Sequence, residues 1–143
     1  MPVSLKRVLA LLFALVLALA LSACAKTVST SDYQGEEKEV AQTIANLQTD
    51  VTAGDEKKVC SNDLASVRVK ALDASPGGCQ QAVKNQLAEI DNFEVNVGSI
   101  HVGGTPSQPT ATASVLSVNA GKKRPVTISL VKEGGKWKVS GES

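Results

Sequence analysis

Three cysteines and a single histidine carry most of the chemistry that this 143-residue sequence could perform. Cys24 closes an apolar run, whereas Cys60 and Cys79 lie in the polar body of the chain, much farther apart than the Cys-x-x-Cys spacing of a redox pair. His101 is the only imidazole, which excludes any site needing two and leaves one candidate base. No serine stands in a G-x-S-x-G elbow, so a Ser-His-Asp arrangement would have to recruit an arbitrary serine. Neither a G-x-G-x-x-G loop nor a P-loop is present to cradle phosphate. Lys122, Lys123 and Arg124 sit together between Gly121 and Pro125. They suit a solvated turn that discourages edge pairing, or a contact with anionic headgroups worth about 1 kcal/mol per cation.

The composition bounds what these residues can serve. With 43% hydrophobic and 20% charged residues, the chain is expected to form one globular domain with short accessory segments. Its formal charge of +1 includes Lys6 and Arg7 of the first segment, so the remainder is close to neutral and offers no general attraction for nucleic acid. Beyond Phe13 of that segment, only Tyr33, Phe93 and Trp137 could stack on bases or sugars. Trp137 is better placed as a core residue whose indole N–H needs a partner.

The first segment has a basic start at Lys6 and Arg7 and an unbroken apolar run from Val8 to Leu21. As a helix that run spans roughly 21 Å, short of the roughly 30 Å hydrocarbon core, so a cleaved signal peptide is favoured over a permanent span. Leu21-Ser22-Ala23-Cys24 resembles the lipobox of bacterial lipoproteins. That resemblance implies acylation of the Cys24 thiol, with palmitate or similar chains, and cleavage just before it. Two or three acyl chains anchor stably where one does not. The expected location is therefore the extracytoplasmic side of a bacterial cell membrane, with residues 1–23 as signal peptide. Residues 24–35 are rich in Ser and Thr and are expected to form a flexible tether, of which Ala25 to Gln34 would reach at most about 35 Å. Once Cys24 is committed to lipid, Cys60 and Cys79 remain as a pair in an oxidising compartment, where a disulfide is expected. A zinc site then lacks ligands, and neither a metal nor another cofactor is expected.

These residues need elements to position them, and the periodicity supplies a set within residues 36–143. Val40, Ile44, Leu47 and Val51 form the apolar stripe of a helix from Glu36 to Ala53, stopped by Gly54. Asp55 is suited to cap a short second helix, and Asn62 or Asp63 a third through Leu64, Val67 and Leu72, broken by Ser75-Pro76-Gly77-Gly78. Cys79, Ala82, Val83, Leu87 and Ile90 mark a fourth. The period then changes to two, predicting a strand through Phe93, Val95 and Val97, with a bulge at Gly98-Ser99 that re-registers Ile100 and Val102. Further strands follow over Thr110–Val118, Val126–Lys132 and Trp137–Val139, giving an antiparallel α+β fold.

Ala53-Gly54-Asp55, the cysteine-bearing second helix, Gly78-Cys79, and the closing Val131-Lys132-Glu133-Gly134-Gly135-Lys136-Trp137-Lys138-Val139 together resemble the nuclear transport factor 2-like (SnoaL-like) superfamily as it occurs in exported bacterial lipoproteins. The resemblance implies a curved antiparallel sheet of about four strands wrapped into a cone around three to four helices. A wall of Ile44, Leu47, Leu87, Ile90, Val95, Val115 and Ile128 would line its cavity. Enzymes of that superfamily place Asp, His or Tyr inside the cone. Here Glu94, the strand carboxylate, alternates opposite to Phe93 and Val95, and the bulge turns His101 outward. A noncatalytic module that binds a small apolar ligand is therefore expected. The alternatives are a scaffold or accessory subunit of an envelope complex, a homodimer joined through the sheet face, and an isomerase- or dehydratase-type enzyme.

Overall fold

The computed structural model describes residues 28–143. Cys24, the lipobox and the signal peptide lie outside the described residues. Among the described residues four helices and one π-helical turn precede a sheet of four strands. Helix α1 runs Gly35–Ala53, buries Val40, Ala41, Ile44 and Gln48, and ends where Gly54 takes φ 66°, a left-handed conformation that glycine adopts without a Cβ penalty. Asp55 starts the single turn α2, Glu56–Lys58, as expected, its carboxylate accepting from the Lys58 amide at 3.0 Å. The chain then tightens into a π-helical turn, Val59–Asp63, before α3, Ser66–Asp73, and α4, Gly78–Leu87.

Neither Asn62 nor Asp63 caps α3. The helix starts at Ser66, whose amide and hydroxyl donate to the Glu133 carboxylate at 3.1 and 2.8 Å. This long-range partner satisfies the helix start from the sheet, which no local pattern could disclose. Asp73 accepts from the Cys79 amide at 2.9 Å, tying the end of α3 to the start of α4. Cys60 and Cys79 are joined by a disulfide with Cα atoms 6.2 Å apart, fastening the π-helical turn to α4.

Strands β1 (Glu94–Thr105), β2 (Gln108–Asn119), β3 (Lys122–Glu133) and β4 (Lys136–Glu142) pair in sequence order as an antiparallel meander. The strands are longer than the sequence pattern implies. Gly103–Thr105 and Lys122–Pro125, expected in loops, continue the ladders. The three cations therefore lie on a strand, opposite Ser117, Val118 and Asn119, and only Ala120 and Gly121 turn the chain. The register of β1 shifts between Val97 and Ser99, which puts Val95, Val97 and Ile100 on one face. Ile100 is buried and His101 exposed, while Val102 is 40% exposed because the hairpin there extends past the core.

The core fills the space between α1 and the concave face, with Val40, Ile44, Ala113 and Leu130 almost inaccessible. Val28 joins this core at 7% exposure, and the Tyr33 hydroxyl donates to the Val97 carbonyl at 3.4 Å. The later part of the segment expected as a tether thus lies against the domain. No helix among the described residues is long and apolar enough to cross a membrane.

Candidate functional site

Between α1, α3, α4 and the concave face of the sheet lies a cavity of about 220 Å³. Helix α1 contributes Ile44, Leu47 and Val51, one side of its apolar stripe. Leu72 comes from α3, and Val83 and Leu87 from α4, with Ile90 and Phe93 following it. The sheet supplies Val95, Ile128 and Val139. Six of the seven residues expected to line the cone are therefore brought together. Val115 is the exception. It is paired between Val97 and Val126 and is 5% exposed within the filled core, so it does not reach the cavity.

Three polar side chains interrupt this wall, Arg68, Gln86 and Glu142. Arg68 lies one turn before Leu72 on α3, at the spacing of four that puts both on the face towards the cavity, while Leu64 reaches the same wall from the extended backbone before the helix. The helix that carries Arg68 is anchored at both ends, by Glu133 at Ser66 and by Asp73 at Cys79. The backbone of the preceding residue pair is fastened too, since the Ala65 amide donates to the Val139 carbonyl at 2.8 Å. The Ser66 hydrogen bonds hold the Glu133 carboxyl below its ordinary range. Arg68 makes no ion pair or side-chain hydrogen bond among the described residues. Glu142 pairs across the ladder with Ile128, which places it on the concave face, but it is exposed.

Both charged residues were missed at the level of sequence. A cation in the middle of an apolar stripe was the available signal for Arg68. Glu142 lay beyond the expected end of the last strand, and its register depends on a bulge between Ser129 and Leu130 that no residue pattern announces.

A second concavity, of about 620 Å³, is polar and lies between α1, the π-helical turn and β4. Gln42, Asn46, Asn62 and Lys138 contribute to its wall, together with Asp63. Asp63 is 3% exposed, and its Oδ2 has no hydrogen-bond partner. Burial first, and then the neighbouring Asp50 carboxylate, raise its pKa from 3.8 to about 7, against an opposing influence of Lys138. Asp50 in turn lies 3.7 Å from Lys58. Among the described residues no group of three or more His, Cys, Asp or Glu side chains is arranged to hold a metal ion.

No protein-family model matches the chain, and no curated protein matches it. Among solved structures, the chain is similar to a proposed dehydratase of the NTF2-like family from Streptomyces avermitilis, with a TM-score of 0.52 and 14% identity over 73% of this chain and 91% of that one. The fold is the NTF2-like cone. A structure named as an NTF2 variant aligns at a TM-score of 0.46 with 18% identity, over 76% of this chain and 98% of the other, and carries no further weight. That fold is shared by enzymes and noncatalytic proteins, so the cone's own residues must decide its use.

Proposed function

We propose that the protein is a lipid-tethered envelope module that binds a small apolar molecule in its cone. The observation that carries this reading is the cavity of about 220 Å³ whose wall is built mainly from Ile, Leu, Val and Phe side chains. Concave apolar sites with a few polar groups are the common form of a small-molecule site. The tether is inferred from Leu21-Ser22-Ala23-Cys24, and its test is separate. Replacing Cys24 by Ala should release the protein from membranes and leave an uncut precursor; a processed form still anchored would count against lipidation.

Binding is tested by extracting the full chain from its native membrane and identifying co-purifying small molecules by mass spectrometry. An apolar compound present in wild type and absent from the cavity-filling variant Leu87→Trp supports the reading. A second reading is a proton-transfer enzyme, which is favoured by Glu142 in the cavity wall and by the description of the Streptomyces neighbour. The compound recovered should elute unchanged after prolonged incubation with fresh protein. Conversion that Glu142→Gln abolishes would move the assignment to catalysis.

A further inference from the structure

The cone holds a cation without a partner. Arg68 is partly buried, lines the apolar cavity, and has no counter-ion or side-chain hydrogen bond among the described residues. A guanidinium does not lose its proton in a protein, so it cannot escape desolvation by neutralising. Its planar fork of N–H donors matches a carboxylate in bidentate geometry. We propose that the ligand is a small carboxylic acid, held with its apolar body in the cone and its carboxylate on Arg68. This rests on the reading of the cone as a binding site and adds the charge, the size and the orientation of its occupant.

The size follows from the volume. A cavity of about 150 Å³ lined by apolar side chains takes benzene, and at the same filling 220 Å³ holds about nine non-hydrogen atoms, the size of benzoate or a seven-carbon fatty acid. The orientation follows from the unequal burial of the two charged residues in the wall. Glu142 is exposed and keeps its water, whereas Arg68 is partly buried and keeps less of it. Gln86 on α4 adds an amide to the same wall, able to donate to a second carboxylate oxygen. The anchoring of α3 by Glu133 and Asp73 fixes the backbone from which Arg68 projects, so the ligand has only the side chain left to order.

The full chain in lipid nanodiscs can be titrated with 4-fluorobenzoate and, separately, with 4-fluorobenzyl alcohol, followed by fluorine NMR against empty nanodiscs. The acid should bind about tenfold or more tightly than the alcohol, the range expected for a charge-assisted pair. Arg68→Gln should abolish that preference, bringing the affinity for the acid down to that for the alcohol. Leu87→Trp should exclude both probes, with Leu72→Phe as a second filling variant should the first not fold. Equal binding of acid and alcohol, insensitive to Arg68→Gln, would overturn the carboxylate proposal while leaving an apolar site standing. No binding of either probe to wild type would remove both. A preference for 4-fluorobenzylamine that Glu142→Gln removes would also refute the proposal, by giving the charged role to Glu142.

Discussion

The first half of α1 is fastened to β3 and β4, whereas the second half leaves Leu47 and Val51 beside open space. At the fastened end, Lys132 bridges Glu36 at 2.7 Å and Glu39 at 3.1 Å. The Trp137 indole N–H donates to the same Glu36 carboxylate at 2.7 Å, and the Lys132 ammonium stands 5.6 Å from the Trp137 ring centroid. The hydrogen bond from Lys132, and secondarily that from Trp137, hold the Glu36 carboxyl below its ordinary range. At the other end Gln48 accepts from the Val95 amide at 3.2 Å and Asp50 lies 3.7 Å from Lys58, while Leu47 and Val51 face the cavity. One helix thus carries a charged cluster at one end and borders the cavity at the other.

This contrast can be broken most severely at Trp137. Trp137→Ala removes a side chain that is 3% exposed and the partner of Glu36, and should cost about 4 kcal/mol in urea unfolding. A loss below about 1 kcal/mol would mean that the closed end does not anchor the fold. Next in size is the disulfide. Replacing both Cys60 and Cys79 by Ser opens a loop with a sequence separation of 19 and should cost about 3 kcal/mol, read as a lower thermal midpoint in the absence of reductant.

Asp63→Asn should act in the opposite direction and depend on pH. Folding raises the affinity of Asp63 for its proton, so this part of the stability is fully present below pH 3.8 and declines as pH rises towards about 7. At pH 8 the Asn variant, free of that charge beside Asp50, should be more stable by about 2 kcal/mol, with a flatter stability profile between pH 4 and 7. A variant less stable than wild type at pH 8 would show that the carboxylate is needed there. The smallest effect is expected at the open end. Leu72→Ala removes a side chain that is only partly buried and so gives up less apolar burial, and it should cost about 1 kcal/mol while weakening any cone ligand. A loss as large as that at Trp137 would abolish the distinction between the two ends.

Much of this asymmetry can be traced to residue pattern, and the remainder to contacts distant in sequence. Val40, Ile44, Leu47 and Val51 predict α1 because a helix repeats its face every three or four residues, and the fold agrees. The strand expected over Thr110–Val118 likewise appears within β2, with Ala111, Ala113 and Val115 on its buried face. Pattern fails where pairing overrides composition. Lys122–Pro125 look like a turn, yet their partners Leu116–Asn119 draw them into the ladder. The start of α3 depends on Glu133, far along the chain, and the placement of Arg68 depends on that start. Val115 and Ile128 share a face of the sheet, but only the packed neighbours of each decide which one meets the cavity.

Val28 gives the attachment of the domain a consequence of its own. Its side chain is buried among core residues, and it lies beside Ala45 and Thr49 of α1. Only Ala25, Lys26 and Thr27 separate it from Cys24. Four residue steps span at most about 14 Å. With Cys24 acylated, the chain would enter the fold almost at headgroup level, on a leash too short to let the domain range through the surrounding fluid. Its search for a ligand or partner would then be confined to a thin layer along the bilayer, where molecules that concentrate at the lipid surface are met far more often than those in bulk solution.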